Sequence, residues 1–390
     1  MKFLSYYSRK EILKELVEIA KDREIQVWFD KIPGQRPDMI NFEGDILASA
    51  KRGMSSMHVS EERWTDALKL KSGMTKTDLD SFRKGWDLIL DIDCKRLEYS
   101  RLAAVLLIDA LRFNSVKNIS VKFSGNTGFH IGVPFEAFPE KVNNIKIKDL
   151  FPNGPRMIAV YLKEIIREHL IAKFMELDKD LDVIAKKFGK TKKDILVEGR
   201  FNPYSILDID SVLISSRHMI RAPYSINEKT GLVSLPLNYE DIPKFNLLDA
   251  RPENVKVDVR FLDREDIISG SAKHLVLQAF DFCEKRKEDI TTEKKNFDKF
   301  EIPKEIIDFK KFPPCIVNCL KGLKEDGRKR AVFIMINFLR HMGYDFDKIK
   351  TILLEWNVNN YEKLREGYII SQISWFKMQK NLILPPNCDN

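Results

Sequence analysis

Cysteine is scarce. There are five in 390 residues, scattered in spacing, which excludes a disulfide framework. No apolar run reaches the ~20 residues that a bilayer-spanning helix needs. Met1-Lys2-Phe3-Leu4 does not open the long apolar stretch of a secretion signal. A cytoplasmic protein with no membrane partner is the expectation. Gly-x-x-x-x-Gly-Lys-[Ser/Thr] and Gly-x-Gly-x-x-Gly are both missing, so neither the P-loop nor the dinucleotide fingerprint supplies a phosphate site. Internal repeats are absent. What remains is a globular balance of 44% hydrophobic and 32% charged residues, long enough for two or three domains. The net charge of +8 suits a polyanionic partner, although such a balance is common.

Within that balance one stretch stands out, Trp86-Asp87-Leu88-Ile89-Leu90-Asp91-Ile92-Asp93. Its aliphatic run predicts a buried strand, and alternation at the end puts Asp91 and Asp93 on one face. Adjacent carboxylates repel, so the pair asks for a cation or shared protons. Hard oxygen ligands at that spacing suit Mg²⁺ or Mn²⁺. An isolated Asp-x-Asp equally caps a strand end, so the surroundings decide. Downstream, Ile206-Leu207-Asp208-Ile209-Asp210 repeats the acidic alternation and offers a third carboxylate from a distant strand.

Helices are predicted over 4–22, 45–52, 102–113, 157–171 and 177–196, and strands over 23–29, 56–60, 118–123 and 129–133. The last two strands flank Ser124-Gly125-Asn126-Thr127-Gly128, a small polar turn that makes them a hairpin. Such a turn presents backbone N–H groups and a hydroxyl to phosphate, and His130 adds a charge-assisted hydrogen bond. Read singly, the turn is only a turn and His130 a packed histidine. Arg217, His218, Arg221 and Lys229 then supply cations after the acidic cluster. Glu284 to Lys299 is almost wholly polar and charged and reads as a tether, followed by apolar helices at 331–339 and 349–356 joined through Gly343.

Taken together, Arg23-Glu24, Arg36-Pro37-Asp38, Ser56 to Ser60, Gly85 to Asp93, Phe123 to Ile131, Met219 to Ser225 and Lys229 to Leu232 occur in an order that resembles the catalytic small subunit of archaeal–eukaryotic DNA primases, across residues 1–285. The resemblance implies an α/β (α+β) primase-type catalytic domain with mixed or antiparallel sheets. It places metal-binding catalytic carboxylates on Asp91, Asp93 and a third Asp. Relative to Val212 and Arg221 that third residue is displaced by one position, leaving Asp208 and Asp210 as candidates; the local pattern favours Asp208. Nucleotide contacts fall on Ser124, His130 and Arg221, with Asn126 and Thr127 in the turn. Asn227 stands where relatives commonly have His. No cysteine lies between Cys94 and Cys283, so zinc is not expected in this part.

The tail is a second resemblance. Residues 306–390, beyond a charged linker at 286–305, look like the mainly α-helical C-terminal domain of the primase large subunit. Its [4Fe–4S] cluster needs four thiolates. Only Cys315 and Cys388 match that ligand pattern, and an iron–sulfur cluster is not expected. The resemblances imply a fused DNA primase of the DNA-directed RNA polymerase type, a primosome component synthesising primers de novo from nucleoside triphosphates. Its partners would be single-stranded DNA template, RNA or DNA primer and replication-fork proteins. Arg328, Lys329 and Arg330 are the expected contacts to the initiating 5′-triphosphate. The alternative is a primer-extending repair or translesion polymerase of the same superfamily.

Overall fold

The computed structural model describes residues 3–30, 32–71, 73–210, 214–293, 303, 305–324 and 327–378. Two compact units divide between Thr291 and Thr292. In the first, a five-stranded sheet has the order Leu207–Ile209, Leu88–Cys94, Phe129–Val133, Ser120–Phe123, Pro236–Leu237. Every pairing in it is antiparallel. Directly opposed residues in such a sheet share a face. Leu90, Ile92, Phe129, Ile131, Val121 and Phe123 therefore form one apolar face, all of it buried. The helix Leu97–Phe113 packs on this sheet, burying Ala103, Ala104, Leu107 and Leu111. Each Leu, Ile, Val or Phe so enclosed contributes roughly 1.5–3 kcal/mol. The opposite face carries the polar residues of the site.

The expected strand from Trp86 is interrupted. Arg83–Trp86 pairs instead with Glu62–Trp64, and Leu88–Cys94 starts afresh in the five-stranded sheet. Asp87 at the break is fully buried. It is ion-paired with Arg23, lies 2.7 Å from Arg264 Nη2 and accepts from Phe135 N at 2.7 Å. A buried carboxylate needs such partners, so Arg23 fixes the root of the aspartate strand.

A second sheet has the order Met219–Arg221, Ser56–Ser60, Ile25–Phe29, Ile32–Pro33, again antiparallel. Glu24, buried beside it, is bracketed by Arg36 at 3.0 Å and by Arg217 Nε at 2.9 Å. The 26-residue helix Asn153–Asp178 packs on Leu97–Phe113. The helix expected over 177–196 is broken at Lys179, which is left-handed with φ 53°, and resumes at Leu181–Lys187 under an Asp180 cap.

The charged segment expected to be a tether from Glu284 continues the helix Lys273–Glu293. Residues 294–302 and 304 lie outside the described residues. In the second unit, Arg328–His341, Phe346–Val358 and Glu366–Lys377 enclose Val332, Met335, Ile336, Leu339, Ile349, Leu353, Trp356 and Ile373. Gly343, at φ 86°, takes the left-handed turn that ends the first of these. Cys315 is exposed and Cys319 half-buried. Cys388 lies outside the described residues.

Candidate active site

Register assembles the site. Across one row of the sheet's polar face Asp91 opposes His130, and His130 opposes Lys122. On the other side Asp208 opposes Asp93, and the Asp210 amide donates to Asp91 O at 3.0 Å. The four aspartates thus come from two adjacent strands, Leu88–Cys94 and the end of Leu207–Ile209, although the strands are over a hundred residues apart in sequence.

Crowded carboxylates with little water around them resist ionisation. Burial, then Asp93, push Asp91 up to about 7, with Asp210 adding to the rise. Burial, then Asp208 and Asp210, raise Asp93. Asp210 is thus among the larger charges acting on both members of the Asp-Ile-Asp pair, and Asp208 leads Asp210 on Asp93. Asp208 is also 66% exposed and turned to Lys163 Nζ at 3.3 Å.

The donor set suits a hard cation. Asp91 Oδ1 is buried without a hydrogen-bond partner, and His130 Nε2 at 3.3 Å is misaligned for one. As placed, no three His, Cys, Asp or Glu side chains among the described residues are gathered around a single ion position. Uncompensated carboxylates repel and splay, which the Asp208–Lys163 contact illustrates.

The Ser124–Gly128 turn lies flush on the aspartate strand. A Cβ on Gly128 would stand 2.0 Å from Ile92 O, and Thr127 Oγ1 donates to Cys94 O at 2.6 Å. Ser124 Oγ accepts from the amides of Asn126 and Gly128 at 3.4 and 3.3 Å. The amides expected to be open are thus folded onto Ser124, and the Thr127 hydroxyl is committed; Asn126 is exposed. Asn227 closes over the turn: its Oδ1 accepts from Lys229 N at 2.9 Å, and Thr230 Oγ1 donates to Gly125 O at 2.6 Å.

His130 departs from expectation in its charge. Burial, then Lys122 and Arg221, hold it well below its usual range, which favours the neutral imidazole over the imidazolium. Arg221, opposite His58 on the second sheet, donates to Glu228 Oε2 at 2.6 Å. Burial raises Glu228, but the Arg221 hydrogen bond and charge outweigh it and hold it down at about 2. Arg221 thus reaches the site already paired.

Several residues here were not anticipated from sequence. Lys122 is fully buried beside His130. Glu61 Oε1 lies 2.8 Å from His218 Nδ1, and that contact raises His218. An open cavity of about 450 Å³ runs beside Asp93 and Asp208 and is lined also by Asn126, Thr127, Lys190 and Tyr204. In the second unit, Arg328 Nη2 pairs with Glu362 Oε2 at 2.8 Å, while Lys329 and Arg330 are exposed.

Residues 87–239 match the DNA primase small subunit family. The DNA primase small subunit PriS of Pyrobaculum calidifontis is 31% identical over 201 residues, covering 42% of this chain and 57% of that protein. PriS of Pyrobaculum aerophilum is 32% identical with the same coverage, so the chain spans a little over half the length of these relatives. An uncharacterized protein of Methanocaldococcus jannaschii is 22% identical over 301 residues, covering 70% of this chain and 61% of that one. Among solved structures, the polymerase domain of Mycobacterium tuberculosis Ligase D in complex with DNA superposes with a TM-score of 0.40 at 14% identity, covering 64% of this chain and 85% of that one. No helix among the described residues is long and apolar enough to cross a membrane.

Proposed function

We propose that the chain, whose residues 87–239 match the DNA primase small subunit family, is a primase that joins nucleoside triphosphates on a single-stranded DNA template and starts its own primers. The observation that carries this reading is the cross-strand register: four aspartates on one sheet face, immediately beside the Ser124–Gly128 turn and His130.

Asp91, Asp93 and Asp210 would hold Mg²⁺ or Mn²⁺. Asp210 is preferred to Asp208 because it bears on both other carboxylates. Bound there, such ions lower the pKa of an attacking 3′-hydroxyl and share the charge on the phosphoryl oxygens. The protein's own groups do the positioning. His130 donates a neutral N–H to the β- or γ-phosphate. Ser124 Oγ hands its two amides to phosphate oxygens, and Arg221 exchanges Glu228 for phosphate, the stronger anion. The cavity beside Asp93 has the volume of a small-ligand site.

Starting a primer means holding two mononucleotides without a duplex, an entropic cost that a second binding unit offsets. We assign that task to the helical unit. Arg328, Lys329 and Arg330 occupy the first turn of their helix, which itself carries no acidic residue, and Arg328 is paired with Glu362 from outside that turn. Cations there add to the positive end of the helix dipole, an arrangement that favours a 5′-triphosphate. A dinucleotide-synthesis assay on single-stranded DNA, with ribo- and deoxynucleotides and with Mg²⁺ or Mn²⁺, tests the reading. Product formed without a primer is expected; extension of supplied primers alone would reduce the chain to a repair-type polymerase.

A further inference from the structure

Arg221 opens a loop that leaves its own sheet. The pairing of Met219–Arg221 with Ser56–Ser60 ends at Arg221 and His58, and the Ala222 amide adds one more bond, to Met57 O at 2.9 Å. Pro223 has no amide hydrogen with which to continue the ladder. The chain instead turns from Ala222 to Ser225, with Tyr224 left-handed at φ 60° and the Ser225 amide donating to Ala222 O at 3.1 Å. From there side-chain hydroxyls take the place of ladder bonds. Ser225 Oγ accepts from Met57 N at 2.8 Å, and Tyr7 Oη accepts from Ile226 N at 2.9 Å while donating to Ser55 O at 3.0 Å.

Tyr7 belongs to the short helix Leu4–Tyr7, 219 residues before Ile226 in sequence, and it is fully buried. A phenylalanine would fill the same space, so packing alone leaves the hydroxyl unexplained. The backbone fixes the direction of both its bonds: an amide N–H only donates, a carbonyl only accepts, and a hydroxyl does both. Ile226 is thereby gripped from two sides, its N–H by Tyr7 and its carbonyl oxygen by Arg221 Nη1 at 3.1 Å. The same Arg221 nitrogen donates to Glu228 Oε2 at 2.6 Å. Between those two residues, Asn227 lies against Gly125 of the Ser124–Gly128 turn.

We propose that Tyr7 is a positioning residue for the nucleotide's triphosphate: through Ile226 it sets the place of the Arg221 guanidinium. The identity of the anion rests on the polymerase reading above, whereas the link from Tyr7 to Ile226 does not. Without the hydroxyl, Ile226 N–H and Ser55 O are left buried and unpaired. The loop relieves that cost by moving off the sheet, and the carbonyl that Arg221 leans on moves with it.

The test uses the full chain and Tyr7→Phe. The variant is expected to raise KM for the nucleoside triphosphate about tenfold, the worth of one hydrogen bond, with kcat within about twofold of the wild type. It should add nothing in an Arg221→Ala background. As a control, Tyr99→Phe removes another buried phenol's bond, to Asp178, and should lower Tm while leaving KM unchanged. An unchanged KM in folded Tyr7→Phe overturns the proposal, and so does a full KM increase on top of Arg221→Ala. Should Tyr7→Phe not fold, amide hydrogen exchange in the wild type decides. Ile226 N–H is expected to exchange as slowly as the amides of the core strands, and exchange at the rate of an open amide overturns the link. A wild-type chain that incorporates no nucleotide removes the polymerase reading instead, and the exchange of Ile226 still decides the link to Tyr7.

Discussion

The two units place their functional residues by different means. In the first, strand pairing sets which side chains meet, and Asp91, Asp93, His130, Lys122, Asp208 and Asp210 are neighbours because the register leaves no other arrangement. In the second, Arg328, Lys329 and Arg330 are consecutive on a helix and point in different directions by geometry; Arg328 is tied to Glu362 and lies over the Tyr361 ring, and Lys329 lies over the Tyr368 ring. A pleated sheet can hold like charges together because neighbouring strands prevent escape, whereas a helix end offers adaptable cations. On the proposed function, chemistry that needs fixed oxygens would sit on the sheet, and the grip on a mobile 5′-end on the helix.

The largest effect that would break this comparison is removal of the Asp-Ile-Asp pair. Asp91→Ala with Asp93→Ala should lower nucleotide incorporation by about 10³-fold or more while template binding persists. Incorporation at the wild-type rate in a single-turnover assay would take the chemistry off the sheet. Next is the division of labour. Deleting residues 292–390 should eliminate dinucleotide synthesis and leave extension of a supplied primer; parallel loss of both activities would contradict it.

Within the sheet, Asp210→Asn should cost at least about tenfold more in kcat than Asp208→Asn, because Asp210 is bonded through its amide to Asp91 and bears on both other carboxylates, whereas Asp208 is exposed and turned to Lys163. Equal losses would restore Asp208. The register itself is open to attack at Gly128. Alanine there collides with Ile92 O, and an overpacked site of this kind loses about 1–3 kcal/mol, readable as a lower Tm with chelator present.

The smallest effect is on pH. Asp91 titrates near 7 in the metal-free protein, above the ordinary carboxylate value of 3.8. Between those values the folded state holds a proton that the unfolded state has released, so this group's contribution falls as pH rises and is least favourable above 7. Asp91→Asn should therefore raise Tm in chelator at pH 7.5 and flatten the slope between pH 4 and 7. A variant with the wild-type slope would place that titration elsewhere.

Much of the first unit was legible because alternation and register share one period. Asp91, Asp93, Asp208 and Asp210 could be placed on faces from spacing alone, and the hairpin around Ser124–Gly128 followed from its glycines. Lys122 carried the same signal: with Ser120 it alternates against Val121 and Phe123, which puts it on the His130 face. Its burial did not show, because Phe261, which covers it, comes from far along the chain. The break at Asp87 was hidden for a similar reason, since Arg23 and Arg264 satisfy it from distant segments. Tertiary contacts also decided the charge of His130 and the pairing of Arg221 with Glu228. The charged stretch after Glu284 misled through composition, since Lys and Glu favour helix as readily as they favour solvated coil.

The central claim is that the paired strands hold a divalent cation on their acidic face. Electron paramagnetic resonance of Mn²⁺ titrated into the full chain tests it directly. The wild type should capture Mn²⁺, and Asp91→Asn with Asp93→Asn should lose that capture while keeping the fold by circular dichroism. Equal Mn²⁺ binding by both proteins would contradict the account.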